Sequence, residues 1–409
     1  MIRDLIWIVN SLLIKWRYKR TQCRLKSKYG KEKLKVAFLV SEVAKWKGQS
    51  LYDLMDSSDI FEPLILVYPM SVEMQDDVIE QKEVISRKVL FFKQHHMDVH
   101  NIWDFERKKI ANIEQLGIDI VFYQQQWNIP SQLSPGKVAK YALSFYFPYY
   151  LVNYFNIGFE TGAKLHHEVF RYILFNDQLV QMYKQSIKSL CYAGEMIGLG
   201  HPIVDGFYLG KKKIFPHKYI IYAPHFSFPI SGRERILSYS TFLDNGILLL
   251  EYAKKHSNLN WVFKPHPRLR RELVEREIWT QEEVDNYYAE WEKIGKTCYT
   301  SDYIDLFLES RVMITDCGSF LTEYSCTGQP LIHLVPKHFP YKANPVLGGL
   351  YDTFYTSSDN DTLLSYLNSI VLKGEDPNKK KRLLCLKDLQ LTNNYCAQNI
   401  ADYIDSLLS

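Results

Sequence analysis

The chain has 409 residues, 46% of them hydrophobic, enough for two ordinary cores and unusually long for one domain. No uncharged apolar run reaches the roughly 18 residues of a membrane-spanning helix. The seven cysteines are scattered, odd in number and without a CxxC pair or metal-ligand spacing, which fits a reducing compartment.

The net charge of +4 is unevenly placed, because residues 1–35 hold eleven Lys or Arg against only Asp4 and Glu32, leaving the remainder mildly acidic. This argues against a nucleic-acid binder with a basic folded face and sets the N-terminus apart. Ile2, Leu5, Ile6, Val9, Leu13 and Trp16 recur at helical spacing, with Arg3, Lys15, Arg17, Lys19 and Arg20 beside and beyond them. Residues 1–30 are therefore expected to form a basic amphipathic helix on an anionic membrane surface, making the protein cytoplasmic and peripheral on the inner face of the cell membrane. Packing of that helix on the protein body is the alternative. A secretory signal would need small residues after its apolar region, and KWRYKRTQCRLKSK follows instead.

Beyond it, LKVAFLV (34–40) reads as a strand, GQSLYDLMDSS as a helix and PLILVYP (63–69) as a second strand. KVLFF, DIVFYQQ (119–125), ALSFYFPYY and KSLCYAG (188–194) continue the strands, each separated by a helical pattern. Strands alternating with helices predict a parallel sheet of βαβ units. GLGHPIVDGFYLGKKKIFPHK (198–218) has the glycine, proline and lysine content of a connection, and the pattern then restarts with YIIYAP, STFLDNGILLLEYAKKH, NWVFKP, a polar helical stretch over 269–294, RVMITD and PLIHLVP. The expected organisation is an N-terminal Rossmann-like domain over 31–205, a second over 206–375, and closing helices over 376–409 that brace the first half.

Ligands of such sheets gather at the carboxyl ends of the strands, and three motifs of the second half fall there: YAPHFS, KPHPRLR and TDCGSFLTEY. Gly318 and Ser319 open a helix after Thr315 and Asp316, so backbone N–H groups and the Ser319 hydroxyl suit a phosphate or diphosphate, while Glu323 is placed for ribose hydroxyls. The alternative is that Ser319 merely caps the helix. Lys264, His266 and Arg268 follow the preceding strand and would face the same anion, in a loop stiffened by Pro265 and Pro267. His225, followed by Ser227, Arg233 and Arg235, offers a donor to a phosphate oxygen or a protonated imidazole opposing leaving-group charge.

YAP after a strand, KPHP, SDYIDLFLESRVMITD and CGSFLTEYSCTGQPLIHL, in this order over roughly residues 198–336, resemble the teichoic-acid CDP-glycerol glycerophosphotransferase family. SEVAKWKGQSLYDLM, YQQQWNIP and YFPYY resemble its polysaccharide-cluster branch. The resemblance implies an α/β GT-B architecture, two Rossmann-like domains facing each other across a cleft, with a nucleotide-activated donor on the C-terminal half and an acceptor on the N-terminal half. It implies that His266 and Ser319 hold the donor phosphates, that Gly318 permits close approach and that Glu323 sits near the ribose. It also implies transfer without metal or other cofactor, with which the lack of a DxD-like loop agrees.

Two departures bear on chemistry. His225 replaces the family's threonine and Cys317-Gly318 its Tyr-Ser, so the donor need not be CDP-glycerol. YQQQWNIPSQ (123–132) stands where the family has a Trp-His-Gly-Thr run, so no acceptor-side histidine carries over. An attacking hydroxyl must still lose its proton. Glu42, directly after the first strand, is the first candidate base, and His166 or His167 the next.

The leading expectation is metal-independent transfer of glycerol-phosphate, ribitol-phosphate or a sugar from a nucleotide-activated donor, CDP-linked foremost, to a hydroxyl of an envelope polysaccharide or lipid-linked acceptor. A non-catalytic nucleotide- or carbohydrate-binding component and a sugar-nucleotide epimerase or hydrolase on the same fold are the alternatives.

Overall fold

A computed structural model describes residues 2–154, 156–210, 216–228, 238–299, 302–337, 342–392 and 395–409. They divide into two compact units, one of residues 1–151, 156–206 and 393–409, the other of residues 152–155 and 207–392.

In the first unit the strands are β1 (Leu34–Val40), β2 (Phe61–Val67), β3 (Val99–Asn101), a small antiparallel pair β4 (Trp103–Asp104) and β5 (Lys109–Ile110), then β6 (Ile120–Tyr123), β7 (Leu143–Tyr146), β8 (Arg171–Leu174) and β9 (Glu195–Gly198). Seven of them form one parallel sheet in the order β3-β2-β1-β6-β7-β8-β9. In central β1 every residue except Lys35 is buried, as expected of a strand covered on both faces.

Two expected strands differ, and one further strand is unexpected. KVLFF is the end of the Val78–Gln94 helix, whose buried positions Gln81, Ile85, Lys88 and Phe92 recur at helical spacing. The strand expected at Lys188–Gly194 comes later, at β9, after a single tight turn over Ser189–Cys191. The unexpected strand is β8, in AKLHHEVFRYILF, whose helix stops at Glu168 and whose RYIL enters the sheet with Tyr172, Ile173 and Leu174 all buried.

The first helix, Ile2–Lys28, packs on the first unit along Ser11, Ile14, Tyr18, Thr21 and Leu25. Its polar side chains fix the register: Ser11 donates to the Leu190 carbonyl (2.8 Å), Thr21 to the Ala139 carbonyl (2.9 Å) and Tyr18 to the Glu168 carbonyl (2.8 Å). Leu5, Ile6, Val9, Leu12, Leu13 and Trp16 lie on a different stripe, which is exposed. No helix of the described residues is long and apolar enough to cross a membrane.

The second unit holds β10 (Tyr219–Ala223), β11 (Asn260–Phe263), β12 (Lys296–Thr297), β13 (Ser310–Thr315), β14 (Leu331–Leu334) and β15 (Tyr355–Ser357). They form a parallel sheet in the order β12-β11-β10-β13-β14-β15, with the topological switch between β10 and β13. The glycine-rich connection contains a helix, Pro202–Gly210, since the Pro at its first turn costs no hydrogen bond. The polar stretch over 269–294 is two helices, Leu269–Glu275 and Gln281–Ile294. Of the closing helices, Lys379–Asp388 lies in the second unit and Cys396–Leu408 in the first.

Candidate functional site

The carboxyl ends of β10, β11 and β13 carry the residues that the sequence singles out in the second unit. β10 leads through Pro224 to His225, β11 directly into Lys264, and β13 into Asp316. The KPHP turn is tied to its neighbour by two backbone bonds, from the Lys264 N–H to the Tyr222 carbonyl (2.8 Å) and from the His266 N–H to the Pro224 carbonyl (3.0 Å). This brings the rings of His225 and His266 to 5.0 Å, edge to face.

Both imidazoles have Nδ1 occupied. The Ser227 N–H points at Nδ1 of His225 (3.2 Å), and the Arg268 N–H at Nδ1 of His266 (3.1 Å). The Ser227 hydroxyl also lies 2.8 Å from Nδ1 of His225. A neutral ring that accepts at Nδ1 carries its proton on Nε2, and in that tautomer each ring can act as an Nε2–H donor. Burial, then the neighbouring His266 and Arg268, hold the His225 pKa well below the ordinary histidine value. That direction favours the neutral ring over the imidazolium.

Arg268 turns toward Glu272, with which it pairs, and its guanidinium lies over the Phe226 ring at 4.3 Å. The Lys264 ammonium, in a buried side chain, lies over Tyr303 (5.2 Å) and Phe320 (5.9 Å). Glu323 is buried and accepts from the Tyr303 hydroxyl. Arg233 and Arg235 lie outside the described residues.

The helix expected at the glycine-serine motif is present as Gly318–Ser325. Its first turn offers fewer open amides than the sequence implies. The Phe320 N–H reaches the Cys317 carbonyl (3.0 Å), the N–H groups of Ser319 and Phe320 face the Cys317 thiol, and Asn153 accepts from the Thr322 N–H (3.2 Å) and hydroxyl. The Ser319 hydroxyl, half-buried, makes no hydrogen bond among the described residues. Thr315 is fully enclosed and donates to the Ala223 carbonyl (2.6 Å), locking β13 to β10. Gly318 is approached by a ring: a methyl group added there would lie 2.8 Å from Cε2 of Tyr154.

Two features of this site escape local sequence patterns. Asp316, raised by burial to about 7, accepts from the N–H groups of His225 (2.6 Å) and Thr241 (2.6 Å) and so holds the His225 loop against the next helix start. Residues 152–154, far away in sequence, supply Asn153 and Tyr154 to the Gly318 helix, with Tyr154 stacked on Tyr239 at 5.3 Å.

In the first unit Glu42 follows β1 and its carboxylate pairs with Lys45. His166 is buried, stacked on Tyr172 at 5.2 Å, and lowered by burial to about 3, while His167 stacks on Trp7 at 4.2 Å and contacts the Cys191 carbonyl (2.9 Å). Both are packing residues beneath the first helix. No cluster of three or more His, Cys, Asp or Glu placed to hold a metal occurs among the described residues.

No family model matches this chain, and no curated protein does. Solved structures do. A variant of the wall teichoic acid polymerase TagF matches with a TM-score of 0.57 at 10% identity, covering 100% of this chain and 97% of its own. The S. aureus MnaA–UDP co-structure gives 0.55 at 10% identity over 92% and 97%. UDP-GlcNAc 2-epimerase from Neisseria meningitidis bound to UDP-GlcNAc gives 0.54 at 12% over 91% and 100%. The fold is therefore GT-B, built from two Rossmann-like parallel-sheet domains of seven and six strands.

Proposed function

We propose that this chain is a transferase that moves glycerol-phosphate, ribitol-phosphate or a sugar from a nucleotide-activated donor, CDP-linked foremost, to a hydroxyl of a cell-envelope polysaccharide or lipid-linked acceptor, without a metal or cofactor. The observation that carries this reading is the His225–His266 pair beside Lys264 at the switch point of the second sheet. Two imidazoles in the Nε2–H form and a buried ammonium suit the phosphates of a nucleotide diphosphate, and the Ser319 hydroxyl adds a further donor at the helix start.

In the reaction the acceptor oxygen bonds to the phosphorus or anomeric carbon while the bond to the nucleotide phosphate breaks. The nucleotide leaves with the negative charge, which His225, His266 and Lys264 offset without reorganising. The acceptor proton goes to a base, for which Glu42 is the proposed group; Glu42 then passes that proton to solvent, and the neighbouring Lys45 ammonium favours its return to the carboxylate form.

Binding to an anionic membrane surface belongs to the same reading. Leu5, Val9, Leu12 and Trp16 are exposed along the first helix, and Lys15, Lys19 and Arg20 are exposed beside them. Apolar burial at the acyl boundary and attraction to acidic headgroups favour the same orientation.

Two of the similar structures are described as epimerase or UDP complexes, so a nucleotide-sugar epimerase is the second reading. Product analysis separates the two. A transferase consumes donor only when acceptor is present and releases free nucleotide; epimerised donor formed without acceptor would replace the transferase reading.

A further inference from the structure

The run YQQQW lacks the histidine of the resembled family, and the structure gives its three glutamines other work. Gln124 accepts from the Lys47 N–H (2.7 Å) and, through its carbonyl, from the Tyr149 N–H (2.7 Å). Gln125 donates to Ser41 and to the Trp127 carbonyl (3.1 Å). Gln126 accepts from the Tyr146 hydroxyl (3.0 Å) and donates to the Phe159 carbonyl (2.8 Å). The loops after β1, β6 and β7 and the short Ile157–Thr161 helix are thereby fastened together at the carboxyl edge of the first sheet.

What they hold up is a group of rings. Trp127 meets Tyr149 edge to face at 5.7 Å and Phe159 at 5.9 Å. Trp127 and Tyr149 are half-buried, and Phe159 is 41% exposed. The Lys45 ammonium stands 4.7 Å from the Trp127 ring centre and 5.2 Å from that of Tyr149, with Glu42 as its counter-ion. Asn128, at φ 56°, is left-handed and turns the chain directly after Trp127.

We propose that Trp127, Tyr149 and Phe159, with the Glu42–Lys45 pair at their side, form a saccharide-binding subsite of the first unit that takes a neutral, pyranose-containing glycan. A sugar ring is amphipathic: its C–H face packs on the electron-rich face of an aromatic ring, and its hydroxyls need both donors and acceptors. Ring surface beside an ion pair supplies both. Lys45 is already neutralised by Glu42, which disfavours a free anion, and the half-buried pair disfavours a lipid chain. β1, β6 and β7 are interior strands, so no open edge invites a peptide strand. Because the rings are braced beforehand, little ordering entropy is lost on binding. Naming this glycan the acceptor rests on the transferase reading; the binding does not.

The test applies the full-length protein to an array of bacterial surface oligosaccharides, with phospholipids and peptides printed alongside, and repeats it with Trp127→Ala and Phe159→Ala after thermal melts establish that each is folded. Retention on saccharides, weakened about tenfold or more by Trp127→Ala and by a smaller factor by the exposed Phe159→Ala, is expected. Retention of no saccharide, retention only on lipid or peptide, or saccharide retention unchanged in both variants would overturn the subsite. Thermal stabilisation by CDP-linked donors is measured on the same samples and depends on the other unit, so a failed array with a preserved donor shift removes the saccharide subsite alone.

Discussion

His225 and His266 stand 5.0 Å apart, edge to face, with a backbone N–H pointing at Nδ1 of each. Replacing either ring should weaken donor binding with little change in fold. For His266→Ala we expect a rise in donor KM of about 10- to 100-fold, the range for losing a hydrogen bond to a charged group. Steady-state kinetics at saturating acceptor, together with a melt, check this.

Glu42 offers a sharper separation of binding from chemistry. Glu42→Gln keeps the shape and can still contact Lys45, but it cannot take a proton. Turnover should fall by about 10²- to 10⁴-fold while donor affinity holds. Unchanged turnover would assign the base elsewhere.

The two stripes of the first helix should respond differently. Changing Leu5, Val9, Leu12 and Trp16 to Gln should abolish co-sedimentation with phosphatidylglycerol vesicles and leave the melting temperature nearly unchanged, because these positions are exposed. Ile14→Ala should instead cost about 2–5 kcal/mol of stability, since Ile14 is 1% exposed in the core. Vesicle binding retained by the fourfold variant would leave the membrane reading without support.

Glu160 gives a pH dependence of defined sign. It is buried, accepts from the Tyr150 hydroxyl (2.9 Å), and is raised by burial to about 8. An unfolded glutamate loses its proton near pH 4.3, so between about pH 4.3 and 8 the folded state holds a proton that the unfolded state has lost. Stability must then fall as pH rises through that window. Glu160→Gln should remove this component, so the melting temperature of the variant relative to the wild type should climb from pH 5 to 8.

Much of this architecture is legible in the sequence where strands are central. LKVAFLV, YIIYAP and RVMITD are near-continuous apolar runs because β1, β10 and β13 are covered on both faces, and the motifs following them fall at the sheet edge for that reason. Short edge elements are less legible. Lys188–Gly194 has strand composition, yet tertiary packing places the strand at β9. In the first helix the apolar stripe through Leu5, Val9 and Trp16 is legible and is exposed, whereas the second stripe through Ile14 and Tyr18, by which the helix packs on the first unit, carries polar anchors and gives no apolar pattern. The placement of Asn153 and Tyr154 against the Gly318 helix has no local signature, since it joins segments about 165 residues apart.

That placement is itself testable. Gly318→Ala would bring a methyl group 2.8 Å from Tyr154, so it should destabilise by about 1–3 kcal/mol, and Tyr154→Leu should relieve part of that cost in the double variant. Additive melts would show the two residues to be uncoupled.

The central claim, a nucleotide-diphosphate donor held by the second unit, is tested most directly by thermal-shift titration of the full chain with CDP-, UDP-, GDP- and CMP-linked donors, with His266→Ala as the control. We predict stabilisation by at least one donor, greatest for a CDP-linked one and much reduced in His266→Ala, since a ligand that binds only the folded state raises stability by mass action. No shift with any nucleotide in the wild type, or an equal shift in His266→Ala, would contradict it.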